Sequence, residues 1–191
     1  MEKRLVFQWI AWNVLGWSAA VGATSPLQGP WAWIACGAVI GIAQWLALRG
    51  RLHLSPAWIP ATSAAWAVGI WAGEAHGFLI LDPFWAGAVG GTFAGLAQSC
   101  FLWRRYAWSA LWTPSTLAAS TLGWVAGTYA GLWFVDRFSA LTASFAGGAV
   151  GGAVIGAASA PLLLAMFRHP KAQPGALPAQ PIESSLGGLC I

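Results

Sequence analysis

The sequence predicts an all-α integral membrane protein with six transmembrane helices, arranged as three tandem helical hairpins that form parallel repeats about a pseudo-threefold axis. Three observations carry this. Of 191 residues, 58% are hydrophobic and only 7% charged, whereas a soluble domain carries about a quarter charged residues. No Asp, Glu, Lys or Arg occurs in 5–48, 52–73, 83–103, 106–135 or 138–167, and each stretch exceeds the roughly 20 apolar residues that cross a bilayer. Finally, the motif GAVIGIAQ (37–44) returns as GTFAGLAQ (91–98) and GAVIGAAS (152–159), each reading Gly, three residues, Gly, two residues, then Gln or Ser.

The first helix is expected over about 7–24. Its basic start, MEKR, resembles a signal sequence, but no small-residue cleavage site followed by a polar mature region ends it, so it reads as a retained span. The first charge-free stretch is long enough for two spans and divides at TSPLQGP, where Pro26, Gly29 and Pro30 make a turn. The second helix then covers about 31–48. Helices follow over 57–76, 84–103, 112–134 and 141–167. Pro60 and Pro114, in the matched triplets WIP and WTP, sit near helix starts, where a missing amide donor costs little. Pro161 removes the donor to Ala157 and predicts a kink in the last helix.

Basic residues set the orientation. Lys3 and Arg4, Arg49 and Arg51, Arg104 and Arg105, and Arg168 and Lys171 fall at the termini and alternate loops, so eight of the nine Lys and Arg share one side. The positive-inside rule makes that side cytoplasmic, with both termini inside a bacterial cytoplasmic (inner) membrane. Arg137 alone lies opposite. The basic pairs suit lipid headgroups rather than nucleic acid, since no long basic run or aromatic-interleaved groove accompanies them.

The repeated motif has a packing explanation. Residues four apart share a helix face, and glycines there let two backbones approach; inside a bilayer this packing replaces apolar burial as the force between helices. Gly37 and Gly41, Gly91 and Gly95, Gly123 and Gly127, and Gly152 and Gly156 are the expected packing seams. The odd helices align as Gly16-Trp17, Ala65-Trp66 and Gly123-Trp124, which makes one hairpin the unit: about 5–49, 57–104 and 112–168. Together 1–168 form the membrane domain. Gln44 and Gln98 stand at matched positions, to be read as interhelical hydrogen-bonding groups or as a shared polar site.

Trp9, Trp58, Trp103, Trp108 and Trp112 are expected in an inner aromatic belt, and Trp31, Trp33, Trp85 and Trp133 in an outer one. Trp12, Trp17, Trp66, Trp71 and Trp124 lie deeper, where a ring beside a glycine groove fills space or flanks a flat ligand, and Trp66, Trp71 and Trp124 are the candidates for holding one. Glu74 and His76, in GEAHGFLILDP, form the single gathering of ionisable groups and the other candidate for holding a cofactor, although they are too few for a metal centre. A quinone, carotenoid or chlorin is the cofactor class these residues suggest. No nucleophile elbow, HExxH, P-loop or paired intramembrane carboxylates occur, so an enzyme is not expected. The 169–191 tail, rich in Pro and Gly, reads as a flexible cytoplasmic segment.

In its tandem Gly-rich and Trp-rich hairpins the chain is similar in style to bacterial membrane proteins of no assigned role. The Pro-x-Asp/Glu-x-x-Lys/Arg signature of mitochondrial carriers is missing from its three hairpins. In length, helix number and glycine content it resembles the substrate-binding subunits of energy-coupling-factor vitamin transporters, which implies a small-molecule-binding transporter subunit as one function. The other expectation is a non-catalytic accessory or scaffold subunit that contacts lipids, partner helices or flat hydrophobic cofactors such as pigments.

Overall fold

A computed structural model describes residues 2–27, 29–52, 54–75 and 83–171. The described chain is all-helical: α1 (Glu2–Thr24), α2 (Pro30–Leu52), α3 (Trp58–Ala75), α4 (Pro83–Leu102), a short 3-10 turn (Ser109–Leu111), α5 (Trp112–Val135) and α6 (Ala140–Arg168). Three of these, α1, α2 and α6, are long and apolar enough to cross a membrane. Local chemistry accounts for the boundaries. Gly29 takes φ +68°, open to a residue without a Cβ, and turns the chain into Pro30, which starts α2 as Pro83 starts α4. Ser139 caps α6 by accepting from the Thr142 amide at 3.2 Å. Pro161 lies inside α6, which continues past it to Arg168.

The six helices close into a ring. Each packs against its neighbours in chain order, and α6 packs back on α1. Glycines make the close approaches. On the even helices they face the odd helix that follows: a Cβ on Gly37 would meet Ser63 Cα of α3 at 2.8 Å, one on Gly91 would meet Ser120 Cβ of α5 at 2.7 Å, and one on Gly156 would meet Ile10 Cα of α1 at 2.9 Å. The seams within the hairpins are tight as well: the Gly127 and Gly147 backbones interlock between α5 and α6, a Cβ on Gly16 would meet Ala43 Cβ of α2 at 2.5 Å, and one on Gly69 would meet Gly90 Cα of α4 at 3.0 Å. All the expected packing glycines lie in these seams.

The contacts shift one expected alignment. Gly37 faces Trp66 and Gly152 faces Trp17, but Gly91 faces Ser120. The counterpart of Trp17 and Trp66 on α5 is therefore Ser120, and Trp124 sits one turn further along. In this register Trp9, Trp58 and Trp112 correspond, as the WIP and WTP triplets also suggest. These three are not belt residues. Each is at most 1% exposed, because each sits on the face of its odd helix that is turned into the ring.

Basic residues mark one end. Arg168 pairs with Glu2 through Nε–Oε1 at 2.9 Å, Arg105 Nη1 donates to the Leu52 carbonyl at 3.1 Å, and the Lys171 amide donates to the Arg105 carbonyl at 2.8 Å. From this end inward the core is layered. Leu5, Trp9, Leu48, Leu52, Trp58, Leu102, Trp112, Leu163 and Met166 form an apolar cluster. Uncharged polar side chains follow, and beyond them Trp17, Ala20, Ile40, Trp66, Ile70 and Ile155 form a second cluster.

Candidate functional site

The polar layer is a directed chain of hydrogen bonds. Trp112 Nε1 donates to Gln98 Oε1 (2.9 Å), and Gln98 Nε2 donates to Gln44 Oε1 (2.9 Å) and Thr62 Oγ1 (3.2 Å). Gln44 Nε2 donates to Asn13 Oδ1 (3.2 Å), and Asn13 Nδ2 to the Trp9 carbonyl (2.9 Å). Trp9 Nε1 in turn donates to Ser159 Oγ (2.9 Å), the residue matching Gln44 and Gln98 on α6. All six helices are thereby tied through the ring's interior. Of the two readings open for Gln44 and Gln98, this geometry is that of interhelical bonding: the named donors and acceptors are turned on one another. Asn13 is the member that motif reading missed, since its odd-helix counterparts are threonines and only its polarity within an apolar run singles it out.

Beyond this layer Trp17, Trp66 and Trp124 meet. The Trp66 and Trp124 rings stack at 5.9 Å between centroids with 19° between planes, and Trp17 stands edge-on to both at 5.0 and 5.8 Å. Three of the five expected deep tryptophans, Trp17, Trp66 and Trp124, are thus brought together. Trp71 is not: it is 61% exposed on the outer surface of α3. His76 lies outside the described residues, as does the side chain of Glu74.

Trp17 and Trp124 also wall a cavity of about 370 Å³ between α1, α5 and α6. Its other walls include Gly123, Gly127 and Gly131 on α5, and Gly147, Gly148 and Gly151 on α6. No described residue lining it is ionisable. Glycines open it because each leaves bare backbone where a side chain would project. A second cavity of about 350 Å³ adjoins it across Val21 and Trp124 and reaches Thr24, Trp33 and Cys36. Both lie toward the end opposite the basic residues. The Trp17 indole Nε1 is buried without a hydrogen-bond partner, one of three such side-chain atoms among the described residues. Buried donors normally find acceptors. Among the described residues no group of three His, Cys, Asp or Glu gathers as metal ligands.

Chemically, the site offers apolar and aromatic surface and no ionisable group among the described residues, a combination suited to binding a neutral molecule. No family model, no curated relative and no solved structure matches this chain.

Proposed function

We propose that this chain is a non-catalytic, six-span membrane subunit that holds a flat apolar molecule within a larger membrane assembly. The observation that carries the reading is the uncharged cavity of about 370 Å³ walled by Trp17 and Trp124, within the 300–1,000 Å³ usual for small-molecule sites.

Ring closure supports six spans. α3 and α4 lie between α2 and α5, and α5 lies against α6, so if α2 and α6 cross the bilayer their packed neighbours cross with them. Helices of 18, 20 and 24 residues are about 27, 30 and 36 Å long at 1.5 Å per residue, within the roughly 17–25 residues of spanning helices. Exposed Phe7, Leu15, Trp31, Trp71, Leu122, Tyr129 and Trp133 form a surface that suits lipid and no aqueous monomer. The basic end then faces the cytoplasm, and the cavity lies in the outer half. Matching seams α2 on α3, α4 on α5 and α6 on α1 favour a pseudo-threefold set of three hairpins.

Holding is favoured over conducting. Every buried polar residue among those described is uncharged, whereas ion-coupled carriers keep ionisable groups at depth. Side chains that bond one another also occupy the interior between the cavity and the basic end. The test is gentle purification from the native membrane, with mass spectrometry and an absorption spectrum. An apolar organic molecule retained in near-stoichiometric amount, with co-purifying membrane subunits, is expected; a bare protein purified alone overturns the proposal.

A further inference from the structure

We infer that the inner end of the α1/α5/α6 cavity is a socket for a flat aromatic ring, in the place that a tryptophan side chain fills in the preceding hairpin, and that it takes a neutral molecule presenting such a ring. The inference rests on the reading of the chain as a holder of flat apolar molecules. It adds which part of the guest is recognised, and where.

The repeats show what is missing. Gly151 on α6 matches Gly90 on α4 and Cys36 on α2, each directly before its packing glycine, Gly152, Gly91 or Gly37. In the first hairpin the position carries a buried side chain of its own, Cys36. In the second, Gly90 is covered, since a Cβ there would meet the Trp66 ring. In the third, Ser120 stands where α3 has Trp66, and the three atoms nearest a Cβ on Gly151 are α5 backbone atoms of Gly123 and Gly127. Those three glycines and Trp124 line the cavity. An indole thus covers Gly90, whereas open space adjoins Gly151.

The guest's chemistry follows from that comparison. A flat ring suits the space because a ring fills its counterpart, and Trp124 adds an aromatic wall, against which a ring gains more than its buried area alone. No described residue of the lining is ionisable, so a charged ring would be desolvated without compensation. The lining continues past Gly131 to Val135 and Ala140, at the outer ends of α5 and α6. The rest of the guest leaves along this seam, and the socket reads the ring alone.

The test uses the full chain in detergent micelles with naphthalene and cis-decalin, which share one carbon skeleton but are flat and puckered respectively. Equilibrium dialysis against protein-free micelles reads saturable binding. Naphthalene should bind about two- to tenfold more tightly, the worth of an aromatic contact. Trp124→Leu should erase that preference and retain decalin binding, which also reports that the variant is folded. Ser120→Trp should supply the ring from within and abolish saturable naphthalene binding. Gly91 faces Ser120 as Gly37 faces Trp66, so the new side chain leaves from a seam that has room for its Cβ.

Equal affinities for the two probes, or a preference that survives Trp124→Leu, overturn the ring socket and leave the holding function standing. Undiminished naphthalene binding by Ser120→Trp overturns the location, as does failure of that variant to fold, since the space beside Gly151 then does not admit a ring. Binding of neither probe overturns the inference and the holding reading together.

Discussion

Replacing Gln98 by Leu removes the branch point of the interior hydrogen-bond chain. Gln98 is 2% exposed and makes three bonds, accepting from Trp112 Nε1 and donating to Gln44 Oε1 and Thr62 Oγ1. Side-chain hydrogen bonds between membrane helices are worth about 0.6 kcal/mol on average and about 1.7 at most, so three lost bonds cost about 2 to 5 kcal/mol. Leu has nearly the volume of Gln, and cavity formation adds little. The upper half of the range is favoured because Trp112 Nε1 loses its one acceptor in a buried site, and an orphaned donor costs more than the net worth of its bond. The assay is reversible unfolding in mixed micelles, followed by tryptophan fluorescence. A double-mutant cycle with Gln44→Leu isolates the chain: since Gln44 and Gln98 bond directly, the double variant should lose less than the two singles together, by about 0.5 to 3 kcal/mol. A loss under about 0.5 kcal/mol for Gln98→Leu, or strict additivity, would refute the view that the polar layer ties the ring together.

Gly91→Leu should abolish stable folding or assembly, because even a Cβ there approaches Ser120 Cβ at 2.7 Å and the Thr116 carbonyl at 2.9 Å; Ala64→Leu, on the exposed face of α3, should be tolerated, and comparable thermal stability of the two variants would contradict the seam. Single cysteines at Gly50 and Ala107 should react with an impermeant reagent from the cytoplasmic side, and one at Phe138 from the outside, in a Cys100→Ser, Cys190→Ser background that leaves only the buried Cys36; labelling of all three from one side sinks the six-span topology. Burial, partly offset by the nearby Arg105 charge, raises the Tyr106 phenol above its ordinary value of 10.0. With the folded pKa raised, its contribution is fully present below the unfolded pKa and is lost as pH rises through the folded one. Stability should therefore decline above about pH 10, less steeply in Tyr106→Phe; unchanged slopes would show that this phenol does not report on folding.

Some of this was legible in the residues and some was not, for physical reasons. Charge-free runs bounded by arginine pairs and prolines delimit helices sharply, since a bilayer penalises charge and a helix penalises internal proline. Observed α3 (Trp58–Ala75) and α6 (Ala140–Arg168) lie within a residue or so of the spans read for them. Gln44 and Gln98 stood out because an amide in an apolar run needs a partner. The belt assignment of Trp9, Trp58 and Trp112 failed because apolar residues cover all faces of these helices, so periodicity does not separate a ring that meets lipid from one that meets protein. Trp71 failed for the same reason in the other direction. The slip of one turn at Trp124 arose from matching Gly-Trp pairs, when contact depends on which residue faces the partner glycine. The cavity was illegible, being a difference between what the walls offer and what fills them.

The cavity's position is itself informative. Three hairpins supply three inter-hairpin seams with like contacts, at Gly37, Gly91 and Gly152, yet the larger cavity belongs to one place, α5 and α6 with α1. There the repeats diverge. In the register of the packing glycines α5 carries Ala119, Gly123 and Gly127, as α3 carries Ala65, Gly69 and Gly73, but it has Ser120 where α1 and α3 carry Trp17 and Trp66, and α6 has Gly147 where α2 and α4 carry Ala32 and Ala86. The same divergence displaces the third tryptophan from the Ser120 position to Trp124, which walls the opening that the missing side chains leave. A symmetric ring would give three equal sites or none. One altered hairpin, held in register by the amide chain beneath it, instead places the larger cavity between α5, α6 and α1, where Trp124 rather than a residue at the Ser120 position lines it.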